Sequence, residues 1–326
     1  MTKAVLSVKN LTVSFKQSGG RVAALRNVSF TLNRGEILGL VGESGSGKSL
    51  TALTIMKLLP QQAQIEQGEI RLEGEVISRL SEKEMRRYRG SEVSMIFQEP
   101  MTALNPLASV GKQIEEMLTL HKKLSKKEKK QKVIELLTAV GIPEPELRYR
   151  QYPFELSGGM RQRIMIAMAL ACDPKVIIAD EPTTALDVTI QAQILDLLKE
   201  IKAAFDTSIL LITHDMGVIA DAADRVAVMY GGRLMEMAGV EELFERPRHP
   251  YTVGLLKSMP DMTKVSEGEL ATIPGSVPDL KQMPEGCPFH PRCPYATEKC
   301  RNQMPPLVED HEGHAAACWH PVKGVG

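Results

Sequence analysis

The segment Gly42–Ser49 is the feature that most constrains how this chain can fold. It fits the pattern G-x-x-x-x-G-K-S/T, in which glycines let the backbone wrap around phosphates with its N–H groups pointing inward. The apolar segment 36–41 before it predicts a buried strand. A helical pattern follows from Lys48 to about Leu58, and Pro60 ends it. Strand, glycine-rich loop and helix in this order predict a nucleotide-binding α/β fold and argue against a chance turn.

Roles for the residues of this phosphate-binding loop, the P-loop, follow from the chemistry of phosphate binding. Lys48 is expected to reach the β- and γ-phosphates of a nucleotide, and Ser49 to ligate Mg²⁺. The N-terminus of the following helix adds about half a positive charge, which favours an anion. The other residues expected to surround the phosphates are Gly42, Ser44, Gly45, Ser46, Gly47 and Leu50.

Two carboxylates lie at the end of a second apolar segment. Asp180 and Glu181 follow the residues 176–179, which predict a buried strand. Asp180 is expected to hold Mg²⁺, directly or through water, and Glu181 to polarise the attacking water as a general base. The alternative is an acidic pair that caps the next helix. The P-loop upstream favours the catalytic interpretation.

Two more polar residues end predicted strands. His214 follows the segment 208–213 and is expected to hydrogen-bond the γ-phosphate and orient the attacking water. A lone histidine is more often structural, but its spacing from Glu181 favours a functional role. Gln98 ends the segment 93–97, and its amide is suited to sense both the metal and the attacking water. On sequence alone, a surface glutamine is the favoured alternative.

The segment Leu156–Met160 reads LSGGM and opens another predicted helix. Ser157 is a favourable N-cap residue, and Gly158 and Gly159 leave backbone N–H groups accessible. This segment is therefore a second candidate anion site. An ordinary capped helix is the alternative that the residues alone leave open.

The rest of the chain predicts alternating strands and helices. Short strands are expected at 5–8, 11–15 and 28–32. Helices are expected at 112–121 and 126–139, within a mainly helical stretch from about 100 to 170. Beyond it the expected order is strand 176–180, helix 188–205, strand 208–213, helix 215–222 and strand 225–230. Such alternation indicates a parallel sheet.

Bulk properties narrow the class of protein. Forty basic and forty acidic residues cancel, so no global field attracts nucleic acid or anionic lipid. Seven lysines within 122–132 are interpreted as a solvated helix face. The chain has no apolar run of the roughly 20 residues that a spanning helix needs, and residues 1–5 do not show the apolar pattern expected of a signal peptide. It is expected in the cytosol, and any membrane association is expected to come through a partner.

Composition changes near residue 245, and the change predicts an irregular C-terminal extension. This part holds most of the prolines, the only tryptophan and four of the five cysteines. Cys287, Cys293, Cys300 and Cys318 have the spacing C-x5-C-x6-C-x17-C. Zinc sites usually contain a closer pair, whereas spacings in iron–sulfur proteins vary more. An iron–sulfur cluster, zinc and cysteines without a metal all remain open, with His290, His311, His314 and His320 as alternative ligands.

Taken in order, these motifs resemble those of the nucleotide-binding subunits of ABC transporters. In that comparison Gly42–Ser49 is similar to the Walker A motif, 156–160 to the signature and 176–181 to Walker B. Phe15 resembles the aromatic residue that stacks on adenine, and the stretch 185–187, which ends in Asp187, resembles the D-loop. The resemblance extends over residues 4 to about 240. Met160 departs from the family's LSGGQ and cannot reproduce the hydrogen bonds of a glutamine.

The resemblance carries expectations about fold and assembly. It implies a P-loop NTPase (RecA-like) core at 1–240 with an antiparallel β subdomain and an inserted helical signature subdomain at about 99–170, followed by the extension at 241–326. It also implies ATP and Mg²⁺ as ligands. Two ATPase subunits would pair head to tail, so that each ATP lies between one Walker A motif and the other chain's signature.

A narrower resemblance concerns bacterial dipeptide, oligopeptide and nickel importers. The segments 98–106, 179–193 and 249–252 and the cysteine-rich end resemble their ATPases. This implies a peptide importer at the cytoplasmic face of the inner membrane, with nickel or another small solute as the alternative, and a 4Fe–4S cluster in the tail. The implied partners are a second, different ATPase subunit, two transmembrane permease subunits and an extracytoplasmic solute-binding protein. A soluble ABC protein acting on ribosomes or DNA and an export ATPase are the other classes considered.

Overall fold

The computed structural model describes residues 3–99, 103–184, 186–259, 272–310 and 313–322. The strands in these residues are β1 (Ala4–Gln17), β2 (Gly20–Asn33), β3 (Ile37–Val41), β4 (Ala63–Leu72), β5 (Glu75–Val76), β6 (Val93–Ile96), β7 (Val176–Asp180), β8 (Ser208–Thr213), β9 (Arg225–Tyr230), β10 (Arg233–Gly239), β11 (Val308–Glu309) and β12 (Ala315–Ala316).

The α-helices in the same residues are α1 (Lys48–Ile55), α2 (Glu82–Met85), α3 (Val110–His121), α4 (Lys126–Ala139), α5 (Pro145–Arg148), α6 (Gly158–Leu170), α7 (Val188–Phe205), α8 (Met216–Ala222), α9 (Val240–Glu245), α10 (Pro250–Lys257) and α11 (Glu298–Asn302). Short 3₁₀ helices lie at Pro153–Glu155, Leu280–Gln282 and His290–Arg292. Within the described ranges, no helix is both long and apolar enough to cross a membrane.

The chain divides into two compact units by its internal contacts. The first unit comprises Met1–Val5, Leu32–Glu36 and Arg79–Leu211. The second comprises Leu6–Thr31, Ile37–Ser78 and Ile212–Gly326.

The first unit combines parallel strands with a group of helices. β6 and β7 pair in parallel, with Val93 opposite Val176, and β8 lies on the other side of β7. Both β6 and β7 are buried along their whole length. The helices α3, α4 and α6 contact one another, and each contributes buried apolar residues to their interface. The helices expected within the stretch 100–170 are therefore present.

The second unit contains an antiparallel sheet in the order β2-β1-β4-β5 and a parallel pair formed by β3 and β9. The separate strands expected at 5–8 and 11–15 are wrong, because both belong to the single strand β1. The register against β4 shifts between Lys9 and Thr12, where Asn10 has a φ of 50°. This β-bulge changes the alternation, so that Val8 and Leu11 are both buried although they are three positions apart.

The C-terminal extension is built into the second unit. β10 pairs with β9 and with β12, and Met237 lies opposite Ala315. Three buried aromatic rings pack beside this pairing: the centroid of Tyr230 lies 4.7 Å from that of Tyr251 and 5.3 Å from that of Phe289. The extension has short helices and strands separated by irregular segments, as its proline content predicts.

Candidate functional site

The P-loop glycines adopt backbone conformations that other residues rarely adopt. Gly42, Gly45 and Gly47 have φ angles of 155°, 77° and 105°. A Cβ atom on Gly42 would lie 2.1 Å from the carbonyl oxygen of Met229, and one on Gly47 would lie 2.6 Å from Cδ2 of Leu25. Gly42 and Gly47 are therefore required by the fold of this chain itself, before any ligand is considered.

Lys48 begins α1 and folds back over the loop. Its Nζ donates hydrogen bonds to the carbonyl oxygens of Gly42, at 2.6 Å, and Glu43, at 3.1 Å. In the described residues no side chain caps α1 at Gly47, so the helix N-terminus keeps its preference for an anion. The arrangement resembles a phosphate cradle closed by its own lysine.

The other loop residues differ in exposure. Ser44, Gly45 and Ser49 are exposed, whereas Ser46 is buried and its carbonyl oxygen accepts a hydrogen bond from the N–H of Gly232 at 3.0 Å. Leu50 is half-buried. Phe15 is also half-buried, near the end of β1 and opposite Ala63 of β4.

Glu43, the residue after Gly42, is hydrogen-bonded by two side chains that the sequence motifs did not indicate. Both carboxylate oxygens of Glu43 accept hydrogen bonds from the guanidinium of Arg292, at 2.7 and 3.0 Å. The N–H of Glu43 donates to the hydroxyl of Tyr251 at 2.8 Å. Arg292 and Tyr251 lie more than 200 positions away in the sequence, so no local pattern could have found them.

In the first unit, the carboxylate of Glu181 is held by two donors. Glu181 directly follows β7 and has a φ of 47°, a strained conformation of a kind that concentrates at functional sites. Nε2 of Gln98 donates to its Oε2 at 3.1 Å, and Oγ1 of Thr184 donates to the same oxygen at 2.8 Å. Asp180 is buried at the end of β7. Sequence reasoning singled out Gln98 and Glu181 but missed Thr184, whose only signal is a hydroxyl three positions after the acid.

The signature segment is capped by its own serine. Ser157 is the N-cap of α6, and its Oγ accepts a hydrogen bond from the N–H of Met160 at 3.3 Å. Gly158 has an ordinary helical conformation, and a Cβ added to it would meet no atom within 4 Å among the described residues. A Cβ on Gly159 would instead lie 3.0 Å from Cγ2 of Ile190. Gly159 is thus explained by packing within the chain, whereas Gly158 is not.

Asp187 and His214 occupy helix-start positions. Oδ1 of Asp187 accepts a hydrogen bond from the N–H of Ile190 at 2.9 Å and caps α7. His214 is exposed directly after β8, and Asp215 behind it caps α8 through the N–H of Gly217 at 2.7 Å. Residues 100–102 of the segment 98–106, Ala185 of the D-loop-like stretch and the alternative ligand His311 lie outside the described residues.

The four cysteines of the extension line one common pocket. Cys287 and Cys300 are buried, and Cys293 and Cys318 are half-buried. The pocket also contains His249, which the sequence did not indicate, and the proposed alternatives His290 and His320. His314 does not line this pocket. Its Nε2 lies 2.7 Å from a carboxylate oxygen of the buried Glu236.

Three thiols of this pocket, those of Cys287, Cys293 and Cys318, are less acidic than usual. Burial, as the main cause, raises the pKa of Cys287 to about 12 and that of Cys318 to about 11, and it also raises the pKa of Cys293. At neutral pH these thiols are protonated unless a metal displaces the protons. Within the described parts of the chain, no three His, Cys, Asp or Glu side chains already stand in an arrangement that could hold a metal ion.

Two protein families match the chain, one in its N-terminal part and one in its C-terminal part. The family described as "ABC transporter" matches residues 25–184, and the family described as "Oligopeptide/dipeptide transporter, C-terminal region" matches residues 235–300. Residues 25–184 include the P-loop, the carboxylates of Asp180 and Glu181 and the signature segment.

Curated relatives are similar over nearly the whole length. The chain is 55% identical to the oligopeptide transport ATP-binding protein OppD of Bacillus subtilis, over 97% of this chain and 89% of the relative. It is 53% identical to the dipeptide transport ATP-binding protein DppD of the same organism, over 97% of this chain and 94% of the relative. The chain therefore belongs to the family of ABC transporter ATP-binding proteins.

Solved structures support the same fold. The ATP-binding cassette MJ0796, in a dimeric post-hydrolysis state bound to ADP and Pi, has a TM-score of 0.65 and 28% identity, and the match covers 72% of this chain and 98% of the cassette. CbiO1 of Clostridium perfringens, part of the transporter complex cbiONQ, has a TM-score of 0.63 and 29% identity, with 74% and 90% covered. The P-loop NTPase fold expected from the sequence is confirmed.

Proposed function

We propose that this chain binds and hydrolyses ATP to energise a membrane importer of dipeptides or oligopeptides. The observation that carries the hydrolytic part is the carboxylate of Glu181, fixed by Gln98 and Thr184 at the end of a buried strand. The match of residues 235–300 to the oligopeptide/dipeptide transporter region supports the substrate class, as do the names of the relatives OppD and DppD.

Each of the motif residues has a separate role in the proposed binding and hydrolysis of ATP. Lys48 and the P-loop N–H groups would bind the β- and γ-phosphates, and Phe15 would stack on the adenine. A serine hydroxyl and a carboxylate are hard oxygen ligands that suit Mg²⁺, so Ser49 and Asp180 would hold the ion. Mg²⁺ would neutralise charge on the phosphates. Glu181 would take a proton from the attacking water, which His214 would orient.

The second half of the site would come from another ATPase subunit. Gly158 is exposed at a helix N-terminus, and nothing in its own chain's described surroundings requires a glycine there. A glycine that the fold of its own chain does not require is expected where another backbone or a ligand must approach closely. In this proposal Ser157, Gly158 and Gly159 clamp the γ-phosphate on the partner's P-loop, while Asp187 lies at the same junction. Met160 is not needed, because backbone donors perform the clamp.

Replacing the general base tests the hydrolytic role. Glu181→Gln keeps the shape of the side chain, so MgATP should still bind, whereas turnover should fall by roughly 10²–10⁴-fold. Glu200→Gln, a carboxylate change on α7, is the matched control and should hydrolyse ATP normally. Near-normal hydrolysis by Glu181→Gln would remove Glu181 from this role.

The proposed partners are a second ATPase subunit of different sequence, two transmembrane permease subunits and an extracytoplasmic solute-binding protein. The chain would then work peripherally at the cytoplasmic face of the inner membrane. Purification from membranes in mild detergent tests this assembly, since two integral subunits should co-purify. Recovery with ribosomes or DNA would instead favour a soluble ABC protein. If the importer took up nickel and no peptide, nickel would replace peptides as the proposed substrate.

The four-cysteine pocket is proposed to hold a 4Fe–4S cluster, with zinc as the alternative. The chemistry of the donors supports this proposal, because four thiols line one pocket and no acidic side chain lines it in the described residues. Binding would draw the thiols together, since no three metal-binding side chains of the described residues already stand in a metal-holding arrangement. Protein purified without oxygen should be brown and contain about four irons per chain. Cys300→Ser should lose the colour, and Cys172→Ser, outside the pocket, should keep it. Colourless wild-type protein with one equivalent of zinc would decide for zinc.

A further inference from the structure

The P-loop carries an acidic residue, and the extension neutralises it. Glu43 follows Gly42 in a loop whose backbone N–H groups and lysine are arranged for an anion. A carboxylate there repels a triphosphate unless its charge is compensated. Arg292 provides the compensation through two parallel N–H···O bonds, a geometry that only an arginine supplies.

The ion pair is set in a mostly desolvated position. The side chain of Arg292 is 4% exposed and that of Glu43 is 30% exposed. The same guanidinium donates to the carbonyl oxygens of Pro274 and Ile273, at 2.9 and 3.2 Å, and its carbon lies 5.7 Å from the ring centroid of Tyr230. Burial by itself would lower the pKa of Arg292, but its hydrogen bonds to Glu43 and Tyr230 outweigh it and raise the pKa. Arg292 is therefore a fixed, permanent charge.

A second contact fixes the backbone of the same residue. The buried hydroxyl of Tyr251 accepts the N–H of Glu43. Tyr251 lies in the first turn of α10, and its own N–H donates to Nδ1 of His249, at 3.0 Å. Two separate segments of the extension thus hold Glu43: Arg292 binds its side chain, and Tyr251 binds its backbone N–H.

We propose that the C-terminal extension is part of the nucleotide site: Arg292 is a positioning residue that cancels the charge of Glu43 and so sets the affinity of the P-loop for ATP. This inference rests on the proposed ATP binding at Gly42–Ser49. It assigns to the extension a direct effect on the first step of the cycle, besides any role that its cysteines have. Arg292 would act on the loop through Glu43, and no contact with the nucleotide is assigned to it.

The test changes charge and shape separately and measures the Kd for MgATP by calorimetry. Arg292→Gln keeps donors but removes the charge, and we expect the Kd to rise roughly tenfold because Glu43 then repels the phosphates. Arg292→Lys loses the paired hydrogen bonds but keeps the charge, and because the proposal rests on charge, its Kd should stay within about threefold of wild type. The double variant Arg292→Gln, Glu43→Gln removes both charges and should return to within about threefold of wild type. Arg301→Ala, an exposed arginine of the same extension, is the control.

The outcomes separate this inference from the function on which it rests. An unchanged Kd in Arg292→Gln, or a double variant as weak as Arg292→Gln at an unchanged melting temperature, overturns the charge mechanism. If Arg292→Gln does not fold, Glu43→Gln alone decides, because the uncompensated Arg292 should then lower the Kd about threefold, and a Kd equal to or above that of wild type refutes the proposal. Wild-type protein that binds MgATP no better than Lys48→Ala would instead refute ATP binding at this loop.

Discussion

The P-loop and the signature segment are two glycine-containing helix starts that support their backbones in opposite ways. At the P-loop, Gly42 and Gly47 have positive φ angles and no room for a Cβ, and no side chain in the described residues caps the helix. At the signature, Ser157 caps α6 from within the segment, and Gly158 has an ordinary conformation with open space beside it.

The difference separates glycines that the fold needs from a glycine that it does not need. The P-loop backbone is determined by contacts from distant parts of the second unit, including Met229, Leu25 and the extension residues around Glu43. The signature segment begins a helix that is capped by its own serine. Its exposed Gly158 is explained only if another molecule approaches this position closely. Substitution of Gly42 should therefore act through stability, and substitution of Gly158 through function.

Gly42→Ala should produce the largest effect on the folded chain. Its Cβ would lie 2.1 Å from the carbonyl oxygen of Met229 at a φ of 155°, so the backbone must move. We expect a loss of about 4 kcal/mol in the free energy of unfolding, measured by urea denaturation. Gly45→Ala, where φ is also positive but a Cβ meets no described atom within 4 Å, should cost about 1 kcal/mol. Equal stability of Gly42→Ala and wild type would contradict the assignment of Gly42 to the fold.

Gly158→Ala should separate function from stability. A methyl group is tolerated by the helix and should leave the free energy of unfolding unchanged or raise it by about 0.5 kcal/mol. ATP turnover should nevertheless fall roughly 100-fold, as expected when a backbone donor to the phosphate is blocked. The measurement pairs steady-state hydrolysis with a denaturation curve on the same preparation. Full turnover in a stable Gly158→Ala protein would show that nothing approaches this glycine closely.

Local sequence signals predicted the motifs well because their residues lie on single elements. The helix expected at 188–205 has these bounds in the structure, since Asp187 supplies the cap and the apolar spacing continues to Phe205. The buried strands β7 and β8 were likewise predictable from short apolar runs that end in polar residues. The P-loop was predictable from the motif Gly42–Ser49 together with the strand before it and the helix after it.

Contacts between distant segments were not predictable in this way. Arg292 and Glu43 are 249 positions apart, and neither residue type is unusual for an exposed surface. The bulge in β1 was missed because the apolar alternation breaks between Val8 and Leu11, whereas the positive φ of Asn10 lets one strand continue. Domain limits at 240 and functional roles for the motif residues stay predictions.

Acid should weaken the support of the P-loop more than the signature. Burial, opposed by the charge of Glu236, lowers the pKa of His249 to about 4 from an ordinary value of 6.5. The unfolded chain therefore binds a proton more readily, and stability present above pH 6.5 is lost as the pH falls towards 4. Between pH 7 and pH 5 this residue alone should cost roughly 2 kcal/mol.

His249→Asn isolates this contribution, because an asparagine oxygen can still cap α10 but does not titrate. Urea denaturation at pH 7 and pH 5 should show a smaller loss in the variant than in wild type. The same loss in both proteins would mean that other groups carry the acid sensitivity. A Kd for MgATP that rises on acidification in wild type only would link His249 to the P-loop through Tyr251.

Ser157→Ala gives the smallest expected effect and tests whether the signature supports itself. The variant loses the oxygen that accepts the N–H of Met160, which should lower the free energy of unfolding by about 1 kcal/mol. Ser157→Thr keeps an oxygen at the cap and should retain most of this stability. Because the cap joins Ser157 and Met160 within one short segment, the Kd for MgATP of the isolated chain should be unchanged in both variants. A weaker Kd in Ser157→Ala alone would show that the two helix starts depend on each other, and the contrast between them would then hold for backbone geometry only.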